Sequence, residues 1–311
     1  EHMWESDRKA AIKAMKKEKD YIILNEAPYW SNGKGITNKR RNAVYSCLLD
    51  GTGLVKLSPD YMDVHNFFEH QGNIVFHGSL FEKKRNEFNC MMIASLNGEN
   101  SKTLIGVNKL SILNACSTGN GIVAAATDFK QFGSCQNPAF YSVTEGKMDI
   151  IAEPDISIFN TVGTDCRYGN GTTFMFYGEK IYFPATIGNE GTLDSLDMYG
   201  NISAISEKPG SVDYFDISSD KLISVNMEAQ RLPEIYLGPL NSIDEVVTSY
   251  NSLFHSEADI RVPEHFSFTN KEGNVIDCWA MTPHGFIASE KYPGVLYIHG
   301  GPKTVFGNVY Y

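Results

Sequence analysis

A chain of 311 residues, 42% hydrophobic and 21% charged, has the make-up of an ordinary folded protein and is long enough for one large β architecture or two domains. Its formal charge of −10 argues against a nucleic-acid partner, whose phosphates need a basic face. No apolar run approaches the roughly 18 to 20 residues of a membrane-spanning helix, so no membrane partner is expected. The six cysteines (Cys47, Cys90, Cys116, Cys135, Cys166 and Cys278) are scattered, without a CxxC pair or zinc-like spacing. They read as reduced thiols of a cytoplasmic protein.

The first element is a helix over Ser6 to Glu18. Ser6 or Asp7 can cap it, Ala11, Ile12 and Met15 form a narrow apolar stripe, and Lys16 and Lys17 lie in its last turn. From Tyr21 the text changes to short runs of Val, Ile, Tyr and Phe separated by Gly, Asn, Asp and Ser, which predicts strands and turns. Turn signals stand at Asp50-Gly51, Asn97-Gly98, Glu145-Gly146 and Tyr199-Gly200-Asn201. A faint repeat runs through this region. Strands that open a unit begin at Tyr21, Asn73, Gly121, Lys180 and Lys221, spaced roughly 40 to 60 residues apart, near the period of propeller blades. The expected fold is therefore mainly β: about five blades of a β-propeller, part of a larger ring, with a β-sandwich as the rival.

Near His255 the pattern changes. Residues 251 to 257 read as a polar linker, followed by a hairpin whose strands are His265 to Thr269 and Val275 to Met281. The last run, Val295-Leu296-Tyr297-Ile298, lies between Pro293-Gly294 and Gly300-Gly301-Pro302. That pattern predicts a strand buried on both faces, as in a parallel sheet, feeding a loop whose backbone N–H groups a ligand can approach closely.

The residues from His265 to Tyr311 resemble the start of the catalytic domain in the prolyl oligopeptidase family of serine peptidases, nearest its acylaminoacyl-peptidase branch. The likeness rests on Asn274-Val275-Ile276-Asp277-Cys278-Trp279, on Pro283, on Lys291-Tyr292-Pro293 and on Tyr297-Ile298-His299-Gly300-Gly301-Pro302. It implies a propeller over 1–258 and the N-terminal strands of an α/β-hydrolase domain over 259–311. It also implies short peptides as substrates, a propeller that limits access by size, no cofactor, and a possible homo-oligomer. Tyr29 to Gly35 and Arg40 to Tyr45 resemble a mid-propeller segment of these peptidases, which implies blades before Glu1.

One residue carries catalytic meaning under this resemblance. The backbone N–H of Gly301 is expected to be one of two oxyanion donors. The family's serine elbow, aspartate and histidine follow this loop, and no GxSxG occurs within the 311 residues, so the triad is expected beyond Tyr311 and the chain alone is expected to be inactive. His299 is expected to pack or orient the loop. His65, His70 and His77 match no ligand spacing and no metal is expected. Asp60, Asp63 and Glu69 read as turn and surface residues, Ser117 to Gly121 as a β-turn, and Arg40, Arg41 and Arg85 as solvated surface charge. A non-catalytic interaction propeller, or an esterase of the same fold, remains open at this level.

Overall fold

The structure, a computed structural model, describes residues 9–10, 12–14, 16–17, 20–107, 109–167, 173–205, 210–243, 245–301 and 303–310. Lys9, Ala10, Ile12 to Ala14, Lys16 and Lys17 are helical, as their composition predicts, whereas the expected caps Ser6 and Asp7 lie outside the described residues. Tyr21 to Leu24, expected as a strand, have no strand partner and are exposed.

Two small hairpins come first. Strands β1 (Trp30–Ser31) and β2 (Gly35–Ile36) pair with each other, as do β3 (Tyr45–Ser46) and β4 (Val55–Lys56). A four-stranded antiparallel unit follows: β5 (Met62–His70), β6 (Asn73–Leu80), β7 (Cys90–Ser95) and β8 (Lys102–Ile105). The second is β9 (Ser111–Ser117), β10 (Ile122–Thr127), β11 (Ala139–Thr144) and β12 (Lys147–Ala152). The third is β13 (Met175–Tyr177), β14 (Lys180–Ile187), β15 (Glu190–Asp197) and β16 (Ile202–Ala204). The fourth is β17 (Ser211–Ser218), β18 (Lys221–Glu228), β19 (Arg231–Pro239) and β20 (Glu245–Val246). A single parallel bridge, Gly191 to Ser211, joins the third and fourth units.

The period read from the sequence is right and its phase is one strand late. Asn73, Gly121, Lys180 and Lys221 begin or adjoin the second strand of each unit, because second strands carry the longest apolar runs. Those runs are apolar on both sides because each blade is packed between two others. On β10, Ile122, Ala124 and Ala126 enter the core shared with the first unit, while Val123 and Ala125 enter the core shared with the third. On β14, Ile181, Phe183 and Ala185 face the second unit, and Tyr182 faces the fourth. Successive side chains of a strand point to opposite faces, so a strand with two buried faces loses the polar alternation of a surface strand. Sheets stacked face to face around shared cores, each built from sequence-adjacent strands, are propeller blades. The β3–β4 hairpin opens a partial blade before them, with Val44 and Leu57 packed on Met62, Val64 and Phe76.

The fourth blade leads into a short helix, α1 (Ser252–Glu257), where a linker was expected; the ring of Phe254 meets Tyr310 edge-on at 5.7 Å. The expected hairpin forms as β21 (Glu264–Thr269) and β22 (Val275–Ala280), in register from Glu264–Ala280 to Thr269–Val275. The run Val295 to Ile298 is a correction. It is neither a strand nor buried: Val295 is 94% and Leu296 84% exposed. Apolar content alone does not make a sheet strand; hydrogen-bonding neighbours and covering layers do, and among the described residues nothing pairs with this run.

Candidate functional site

Gly301 sits at φ +73°, the left-handed region that an L side chain enters only with strain. Thr304 N–H donates to the Gly301 carbonyl at 3.1 Å, closing a turn, and a Cβ on Gly301 would stand 3.0 Å from Thr304 Oγ1. Among the described residues the Gly301 N–H donates to no acceptor, so it is available to a ligand. His299 is exposed, and its ring meets Phe306 edge-on at 4.9 Å; it packs against the loop rather than standing at the end of a buried strand.

The segment after the loop is pinned to the blades. Val305 bridges Val162: its N–H donates to Thr161 O at 3.2 Å, and Gly163 N–H donates to Val305 O at 2.8 Å. Thr164 Oγ1 donates to Tyr310 O at 2.8 Å. Lys303 Nζ donates to Asn137 Oδ1 at 2.6 Å, and partial burial holds its ammonium below the ordinary lysine range. Gly307 passes so close to Asn189 that a Cβ would lie 2.4 Å from the Asn189 carbonyl. Trp279 Nε1–H donates to Phe306 O at 3.2 Å and ties the β21–β22 hairpin to the same segment. These anchors were not foreseen. The signal was present in the alternation of Val305, Gly307 and Val309, of which Val309 is buried against Val162 and Met227.

The other sequence candidates disperse. His70 Nδ1 lies 2.8 Å from Ser117 Oγ and His65 Nε2 lies 3.3 Å from Ser79 Oγ. His77 is fully buried, its ring nitrogens have no hydrogen-bond partner among the described residues, and it is pushed down to about 3 by burial and then by neighbouring His65. Among the described residues no three His, Cys, Asp or Glu side chains converge as a metal site would require. Asp60 pairs with Lys56 at 2.6 Å and Glu69 Oε1 accepts the Gly72 N–H, local turn and surface roles, whereas half-buried Asp63 reaches across the chain to accept the Asn42 N–H at Oδ1. Thr118 N–H donates to Gly121 O at 2.8 Å, a β9–β10 turn rather than a phosphate loop. Arg41 departs from its expected role as free surface charge. It forms a two-pronged pair with buried Glu26, at 3.0 and 2.8 Å, which holds the Glu26 carboxyl below its ordinary range.

An acylaminoacyl peptidase solved with Z-Gly-Gly-Phe-chloromethyl ketone superposes with a TM-score of 0.73 over 94% of this chain and 44% of its own, at 20% identity. This is the propeller-bearing fold of the prolyl oligopeptidase family. A puromycin hydrolase of the same fold aligns with a TM-score of 0.62 over 84% of this chain and 42% of its own, at 16% identity. By sequence, the uncharacterized peptidase YuxL of Bacillus subtilis (strain 168) is 23% identical over 177 residues, covering 55% of this chain and 27% of YuxL. No family model matches the chain. The chain spans less than half the length of either solved structure and about a quarter of YuxL.

Proposed function

We propose that these residues form the propeller and the first catalytic-domain strands, with a boundary near residue 258, of a serine peptidase of the acylaminoacyl-peptidase type. In this reading the blades restrict access to short peptides, and Gly301 N–H is one of the two donors that stabilise the oxyanion when a serine attacks the scissile carbonyl. The serine, aspartate and histidine are supplied by residues outside the 311. The observation that carries the reading is the Gly301 N–H itself: without an acceptor among the described residues, in a left-handed turn, and pinned to a propeller face through Lys303, Val305 and Gly307. All six cysteines are free, which supports a reducing, cytoplasmic setting.

The test uses the full-length protein containing this chain. A fluorophosphonate probe is expected to label it, and acylated short peptides are expected to turn over faster than simple esters. The 311-residue chain is expected to do neither. Gly301→Ala in the full-length protein is expected to lower kcat by about 100-fold with little change in KM, because a Cβ at this φ displaces the donor. Hydrolysis by the 311-residue chain, or an unlabelled full-length protein, would overturn the reading.

A further inference from the structure

A cavity of about 500 Å3 opens between the β1–β2 hairpin and the first complete blade. Trp30, Lys34, Arg40, Arg41, Phe81 and Arg85 line it, together with the carboxylates of Glu26 and Asp63. In a chain of formal charge −10, this is a local reversal of sign.

Not all of these charges are available. Arg41 is neutralised by Glu26, its guanidinium lies 3.8 Å from the centre of the Phe81 ring, and its Nη2–H donates to Phe81 O at 3.2 Å. It is a fixed wall. Asp63 Oδ1 is taken by the Asn42 N–H at 2.8 Å. Among the described residues Lys34, Arg40 and Arg85 have no carboxylate within ion-pair distance. Three cations without an ion-pair partner therefore border the cavity, against the one carboxylate of Asp63 that no cation pairs, and its lining includes the indole of Trp30, 55% exposed.

The cavity's position adds a second argument. In an antiparallel four-stranded blade, the residues before strand one and those between strands two and three lie at the same end. Asp63 stands at the start of β5, and Phe81 and Arg85 follow β6. At the matching ends of their own blades stand Asn137, between β10 and β11, and Asn189, between β14 and β15. Those residues hold Lys303 and Gly307. The cavity and the docked segment after Gly301 thus share one face of the propeller.

We propose that this cavity is a subsite for the free carboxylate end of a peptide, with the adjoining apolar side chain laid on Trp30. The inference rests on the peptidase reading above and names its substrate class: short peptides with an unblocked C-terminus. A planar carboxylate suits the guanidinium forks of Arg40 and Arg85, with Lys34 as a third donor. Inorganic phosphate shares the charge but has no side chain for the indole.

Isothermal titration calorimetry at low salt on the full-length protein, pretreated with the fluorophosphonate so that the peptide is bound and not hydrolysed, reads this directly, with N-acetyl-Ala-Phe as the acid and its carboxamide as control. The acid is expected to bind roughly tenfold more tightly than the amide, the worth of one or two charge-assisted hydrogen bonds. Arg40→Gln with Arg85→Gln is expected to bring the ratio below about twofold, and Arg40→Lys with Arg85→Lys to keep part of it. Equal binding of acid and amide, or an undiminished ratio in the folded Gln variant, would overturn the proposal. So would inorganic phosphate binding more tightly than the peptide acid. Because calorimetry does not depend on turnover, acid preference without peptidase activity would uphold the subsite and refute the peptidase. Turnover without acid preference would do the reverse.

Discussion

The blades from Met62 to Val246 and the stretch from Pro293 to Gly301 are both apolar in sequence, and they meet opposite fates. Ile181 and Phe183 are fully buried, whereas Leu296 is 84% and Ile298 76% exposed. Composition does not separate them; neighbours do. The second strands of the blades, such as β10 and β14, are hydrogen-bonded on both edges and covered on both faces by adjacent blades, and Val295 to Ile298 has neither among the described residues. Blade stability is thus a sum of contacts between consecutive units, while the Gly301 loop is fixed from its C-terminal side, by Lys303 to Tyr310.

The sharpest way to break this contrast is a pair of truncations. Phe183→Ala opens a cavity beside Phe140, whose ring lies 5.0 Å away, and is expected to cost about 3 to 5 kcal/mol in urea unfolding of the 311-residue chain. Leu296→Ala is expected to change stability by less than about 0.5 kcal/mol in the same chain. Similar losses at the two positions would mean that the 293–301 stretch is buried after all.

A polar link between blades gives the next largest effect. Asp213 is fully buried and receives Arg167 Nε–H at 2.9 Å, and Asn160 Nδ2 at 3.0 Å, across the junction of the third and fourth blades. Arg167→Met strands that carboxylate and is expected to cost about 3 kcal/mol, with Arg167→Met/Asp213→Leu recovering part of the loss. A double-mutant cycle measured by chemical denaturation checks this, and simple additivity would refute the coupling.

A further effect is a matter of pH. Burial pushes His77 down to about 3 from an ordinary 6.5, so folding favours the neutral ring. The stability associated with that neutral ring is complete above about pH 6.5 and declines as pH falls from there toward 3. His65, lowered in the same direction chiefly by burial, adds to the trend. His77→Phe is expected to flatten the urea midpoint between pH 6.5 and 4; an unchanged slope would show that His77 is not the group responsible.

Much of the fold could be read before any coordinates. Turn chemistry at Asn97-Gly98, Glu145-Gly146 and Tyr199-Gly200-Asn201 marks real strand connections, because only a few residues tolerate the backbone such turns need. The blade period survived for a related reason: each second strand is buried on two faces and stands out as an apolar run. The phase slipped because first strands such as Met62–His70 carry polar residues toward open space, with Asn66 and Glu69 among them, and look like loops. The candidate site was only half legible. Gly300-Gly301 announced a backbone that a ligand can approach, since glycine is chosen where Cβ is forbidden. Lys303 and the meeting of Arg85 with Trp30 gave no such notice, because the partners lie tens to hundreds of residues apart.

Local backbone preference and strand periodicity, both short-range, thus fix from the chain alone that it is a mainly β repeat followed by a hairpin and a glycine-rich loop. Which apolar runs become strands, which arginines stay free, and where the Gly301 segment docks are settled only by folding. Burial, ion pairing and close approach depend on what the other blades bring alongside.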